Sequence, residues 1–107
     1  MHAPRLADRS RRLGLMLPVT VMGSDSTGRS FREATRSVNV SGGGLAFETR
    51  RRLEVGSRLV LEIALPPRLR RHFGGRELYR VRAVVCRVFA PEDGPASVGV
   101  RFLGEDV

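Results

Sequence analysis

Two groups of residues in this chain have the types and spacing to do chemistry. Asn39 and Ser41 stand at alternate positions ahead of Gly42-Gly43-Gly44, and four arginines, Arg5, Arg9, Arg11 and Arg12, crowd the first twelve residues. Alternate side chains of an extended strand share a side, so Asn39 and Ser41 together offer an amide acceptor, amide donors and a hydroxyl. That set suits a nucleobase edge or a phosphate oxygen. Gly44 permits positive φ or a close approach of backbone to a ligand. An arginine fork bonds a phosphate, or guanine O6 and N7, through two parallel hydrogen bonds, and its plane stacks on a ring. Taken alone, Asn, Ser and Gly are ordinary turn residues. Their force comes from the arginines that accompany them.

Charge points the same way. The 107 residues carry 19 basic and 11 acidic side chains, a formal net charge of +8. Every basic residue is arginine, and with no lysine or glutamine, one asparagine and one isoleucine, the composition matches GC-rich codon usage. Mutational bias accounts for arginine in place of lysine, but a field of this sign still attracts anions, whatever its codon origin. Enzyme signatures are missing. Gly42-Gly43-Gly44 is followed by no Gly-Lys-Ser/Thr and is no phosphate loop, His72 has no nucleophile in a recognisable elbow, and Cys86 reads as a thiol packed within an apolar strand. One cysteine and two distant histidines exclude a disulfide within the chain and a structural zinc site. No apolar run reaches the roughly 20 residues of a membrane-spanning helix, and the start lacks the apolar segment of a signal peptide. A non-catalytic, cytoplasmic binding module without metal or cofactor is the expectation.

The elements that must position these residues are strands. An arginine-rich arm, residues 1–14, reads as flexible without a partner. A barrel domain, residues 15–107, begins with Leu15, Leu17, Val19 and Val21 alternating on one face. A second strand covers Ser30 to Val38, with Ala34, Arg36 and Val38 on one side and Glu33, Thr35 and Ser37 on the other. The stretch Asn39 to Gly44 joins it to a short third strand, in which Leu45, Phe47 and Thr49 alternate with Ala46 and Glu48. Leu59, Leu61, Ile63 and Leu65 mark the clearest strand, which Pro66-Pro67 ends because proline lacks an amide donor. Tyr79, Val81, Ala83, Val85 and Phe89 define one face of the next, and Val98, Val100 and Phe102 the strand returning after the loop Ala90 to Pro95. Six strands without a long helix predict an all-β, small antiparallel barrel or sandwich.

The spacing Asn39-x-Ser41-x-x-Gly44, followed by Leu45-Ala46-Phe47, resembles the (Asp/Asn)-x-Ser-x-x-Gly motif of PilZ domains. The similarity extends to Leu17-Pro18-Val19, to Gly56 through Pro66 and to Val98-Gly99-Val100-Arg101-Phe102. It implies a six-stranded antiparallel barrel of PilZ type that binds the bacterial second messenger cyclic di-GMP. Arg5-Leu6-Ala7-Asp8-Arg9 has the spacing of the family's other motif, Arg-x-x-x-Arg, but lies further from the first strand than is usual. Counting back from that strand puts the second arginine near Arg12 and the first on Asp8. The resemblance thus assigns the ligand to Arg5, Arg9, Arg11, Arg12, Asn39, Ser41 and Gly44, with Arg9 and Arg12 foremost and with Arg36 and Gly43 as possible additions. Ordering of the arm over the dinucleotide would then be the signal passed to a protein partner.

Two other functions fit the composition. A nucleic-acid-binding barrel would use Arg50-Arg51-Arg52 and Arg68 to Arg71, although aromatic residues at 6%, without tryptophan, leave few stacking platforms. A PilZ-like protein-interaction adaptor that does not bind the nucleotide would engage an acidic protein surface through the same clusters.

Overall fold

The computed structural model describes residues 14–106. The arm arginines Arg5, Arg9, Arg11 and Arg12 lie outside the described residues. Six strands, β1 (Pro18–Ser24), β2 (Ser30–Ser41), β3 (Gly44–Thr49), β4 (Arg58–Ala64), β5 (Leu78–Phe89) and β6 (Ala96–Glu105), close into one antiparallel barrel in the order β1-β2-β3-β6-β5-β4. A single turn of helix, α1 (Pro67–Arg70), and a 3-10 turn, Arg71–Phe73, connect β4 to β5. Pro67 sits where its missing N–H costs nothing. The expected all-β barrel is the observed architecture.

Alternation decides what fills the interior. Val19 and Val21 of β1, Leu59, Leu61 and Ile63 of β4, Val81, Ala83 and Val85 of β5, and Val98 and Val100 of β6 are all buried, with Phe47 of β3 fully enclosed. Leu17 and Leu65 extend this core beyond the ends of β1 and β4. Each such side chain contributes about 1.5–3 kcal/mol relative to exposure, which is why period-2 patterning sets the fold.

Three readings from sequence are corrected by two β-bulges. The β2–β3 register shifts between Ser37 and Asn39, leaving Val38 unpaired and exposed. Phe31 and Ser37 point inward before the bulge and Val40 after it, so β2 runs on to Ser41 rather than stopping at Val38. Asn39 and Ser41 are therefore strand residues, and only Gly42-Gly43 remain as the hairpin turn to β3. In β5 the shift falls between Val85 and Arg87, with Cys86 as the extra residue. Cys86 is exposed instead of packed, its thiol on the Gly99 carbonyl at 3.3 Å. Val88 takes the inner side in place of Phe89, which is 69% exposed. A bulge inserts one residue and reverses the face of everything after it.

Candidate functional site: a trough across four strands

Cross-strand register assembles the site. Outside the barrel, Asn39 of β2 is paired with Ala46 of β3, Ala46 with Gly99 of β6, and Gly99 with Arg87 of β5. In the neighbouring row Ser41 is paired with Gly44, Gly44 with Arg101, and Arg101 with Val84. The floor is thus made at Gly44 and Gly99, whose missing side chains leave a trough. Asn39 and Ser41 flank it on one side, Arg87 and Arg101 on the other. The cavity has a volume of about 350 Å³ and also touches Gly43 and Cys86.

Both bulges serve this geometry. With strict alternation through Val38 and no bulge, Asn39 and Ser41 would continue the inward set of Phe31 and Ser37 and be driven into the apolar core. With no bulge at Cys86, strict alternation would turn Arg87 inward after Val85. An uncompensated buried guanidinium or amide is costly enough that neither arrangement would persist. The sheet instead bends and turns both polar flanks outward.

Gly44 has a different role from the one its spacing suggests. It is an extended strand residue, absent from the glycines of positive φ. A Cβ here would overlap the carbonyl oxygen of Val100. Its bareness lets β3 close on β6, and the close approach is to the neighbouring strand. Ser41 packs over the hairpin, its hydroxyl accepting from the Gly43 N–H at 3.3 Å and donating to the Gly44 carbonyl at 3.4 Å. Both bonds are long, so the hydroxyl remains available to a better partner. The turn is further tied to β6 by the Phe102 N–H, which donates to the Gly43 carbonyl at 2.8 Å.

Ser37 anchors the chain where it enters the barrel. Its hydroxyl donates to the Leu15 carbonyl at 2.6 Å and accepts from the Leu17 N–H at 2.9 Å, and its own N–H donates to the Leu17 carbonyl at 2.9 Å. The side chain is completely buried. The segment that follows the arm is therefore fastened to β2 two residues before Asn39.

The structure brings together Asn39, Ser41, Gly43 and Gly44 and adds Arg87 and Arg101, which the sequence reading passed over. Arg87 and Arg101 are exposed, and neither makes an ion pair among the described residues. Their signal was Gly99: a glycine inside a strand marks a place where another group comes close, and here that group is Arg87. Arg36 is exposed beside Pro18 and is not among the residues lining the trough. No group of three metal-ligating side chains occurs among the described residues, and no helix among them is long and apolar enough to cross a membrane.

A family model for the PilZ domain matches residues 5–107, nearly the whole chain. This chain belongs to the PilZ domain family. PilZ domains generally serve as cyclic di-GMP receptor modules, and the trough of this PilZ chain holds the polar residues of the Asn39-x-Ser41-x-x-Gly44 motif. No curated protein matches it. Among solved structures the PilZ barrel is similar to the Bacillus subtilis inhibitor of motility (MotI/DgrA), with a TM-score of 0.66 and 23% sequence identity. The similarity covers 89% of this chain and 42% of that one, so this chain spans less than half the neighbour's length. At that identity the likeness is one of fold.

Proposed function

We propose that this PilZ chain is a receptor for cyclic di-GMP, held in the trough between Asn39–Ser41 and Arg87–Arg101. The supporting observation is the width and chemistry of the trough. Asn39 on β2 and Arg87 on β5 are three interstrand spacings apart, or about 14 Å at roughly 4.8 Å each, and Ser41 and Arg101 on β6 are two, about 10 Å. A cyclic dinucleotide with two guanines and two phosphates carries polar groups at both ends to meet both flanks. Arg87 and Arg101 supply bidentate donors for phosphate or for guanine O6 and N7, and Asn39 and Ser41 read a guanine edge or a phosphate oxygen. The Arg87 guanidinium, resting over Gly99, offers a plane on which a base can stack.

The arm arginines complete the site in this reading. Arg9 and Arg12 foremost, with Arg5 and Arg11, clamp the phosphates and stack on the guanines, drawing on a chain that Ser37 fastens beside Asn39. Fixing each arm residue costs on the order of 1–2 kcal/mol, so several charge-assisted bonds must act together. Closing the arm over the ligand changes the surface shown to a partner protein. The solved neighbour is named as an inhibitor of motility, and an output of this kind, through a second protein, is the one we assign here.

Calorimetric titration of cyclic di-GMP tests the proposal. The wild type is expected to bind at micromolar concentration or tighter, and Asn39→Ala, Arg87→Ala/Arg101→Ala and Arg9→Ala/Arg12→Ala each to lose at least tenfold. Absence of heat with the wild type, alongside tight binding of an oligonucleotide, would overturn it in favour of the nucleic-acid barrel. Silence with both ligands would leave the adaptor.

A further inference from the structure

The opposite wall of the barrel carries a second groove, built on β1, β4 and β5. Met22 is paired with Val60, Val60 with Arg82 and Arg82 with Gly104, so one outward row crosses the wall. Met22 and Val60, half-buried side by side, form an apolar floor with Leu103, the residue left unmatched where the β5–β6 register shifts between Arg82 and Ala83. The groove has a volume of about 440 Å³. Arginines surround it. Arg58 and Arg82 line its edge, Arg80 closes one side, and Arg32 reaches the Met22 sulfur at 3.0 Å.

The charges here are unbalanced. Glu62 is the acid nearest the floor, and it is already engaged by Arg80 at 2.6 Å and by Arg32 at 3.5 Å. Arg80 also holds Asp106 at 2.8 Å. Arg58 and Arg82 have no carboxylate within ion-pair distance among the described residues. Arg82 lies over Gly104, its Nη2 3.1 Å from where a Cβ would stand, and is positioned by the backbone beneath it. Two positioned cations beside an apolar floor favour a ligand bearing both a carboxylate and an apolar side chain.

From this arrangement we infer that the β1–β4–β5 wall docks an acidic segment of a partner protein, an apolar side chain seated on Met22 and Val60 and flanking carboxylates paired to Arg58 and Arg82. Nucleic acid is disfavoured because no aromatic side chain lines the groove to stack a base. A segment with acidic and apolar residues two positions apart, Glu-x-Leu-x-Glu, presents the required pair on one side of an extended chain. The groove is separate from the nucleotide trough, so the inference does not rest on cyclic di-GMP binding.

The test is an NMR titration of the full chain with the peptide Glu-Ser-Leu-Ser-Glu-Ser-Leu-Ser-Glu (the Glu-Leu peptide), compared with one in which serine replaces both leucines (the Glu-Ser peptide) and a decathymidylate oligonucleotide. Shift changes centred on Met22, Val60, Arg82 and Leu103 are expected with the Glu-Leu peptide. An Arg58→Glu/Arg82→Glu variant should weaken it at least tenfold, while Arg50→Glu/Arg52→Glu, the same change of charge at another surface, should weaken it less than threefold. Both pairs are exposed, and their folding is read from the same spectra. Equal losses in the two variants, equal affinity for the Glu-Ser peptide, tighter binding of the oligonucleotide at this wall, or shifts located elsewhere would each overturn the inference. So would no binding at millimolar peptide.

Discussion

The Arg87 guanidinium rests on the bare backbone of Gly99, close enough that a Cβ there would come within 3.1 Å of both Nε and Nη2. The trough's cation is therefore placed by the absence of a side chain on the next strand. Gly99→Ala should push the flexible end of Arg87 aside by a few tenths of an ångström and leave the β5–β6 ladder in place. The expected outcome is an unfolding midpoint near that of the wild type with cyclic di-GMP affinity reduced about 3- to 10-fold, or about 0.7–1.4 kcal/mol. Thermal unfolding and calorimetry on the same samples check it.

Gly44→Ala should behave in the opposite way. The new methyl meets the rigid Val100 carbonyl of β6, which cannot swing aside without breaking the β3–β6 pairing. Destabilisation of about 3 kcal/mol or more is expected, read as a large drop in the urea midpoint. A nearly unchanged midpoint would mean that β3 and β6 can separate at this point at little cost.

Ser37→Ala removes one hydroxyl that joins β2 to two backbone groups. The Leu17 N–H loses its acceptor in a buried setting, and the expected cost is about 1–3 kcal/mol. Because the same hydroxyl holds Leu15, cyclic di-GMP affinity should fall as well, measured where the variant is still fully folded. A stability loss with unchanged affinity would separate the anchor from the site.

The β1–β2 loop supplies a pH prediction. The Asp25 carboxyl is held below the ordinary aspartate range, first by the Thr27 hydroxyl at 2.6 Å, against desolvation as the next-largest influence, with further help from the Arg29 and Thr27 N–H groups and the charge of Arg51. A depressed carboxyl favours the fold above its unfolded pKa, and that contribution is lost as pH falls through the lower folded value. Thr27→Val should move the Asp25 titration upward, towards the unfolded aspartate range, in carboxyl-carbon NMR. It should also shift the start of acid unfolding to higher pH.

The sequence makes some of this fold readable and conceals the rest for one physical reason. Leu59, Leu61, Ile63 and Leu65 alternate without interruption, so β4 and its inner face follow directly from period-2 patterning. Ser30 to Ser41 and Leu78 to Phe89 each contain a bulge, and one extra residue in the middle of a strand is invisible to a pattern that assumes strict alternation. Strict alternation puts Phe89 inside and packs Cys86 for that reason, whereas both are exposed. The Asn39-Ser41-Gly44 spacing was legible because it is local. Arg87 and Arg101 were not, because they reach the trough through the register of β5 and β6 against β3, which no local spacing records.

Closure of the barrel has a consequence for how this molecule can be recognised at all. Each of the six strands already has a neighbour on both sides, so no strand is offered along its whole length as an open edge. Annexing an edge, a common way for a partner to join a β-protein, is closed here. What the closed wall mainly shows a ligand is its side chains and its loops. A non-binding variant can therefore be made by changing outward-facing side chains alone, with the backbone ladder left whole.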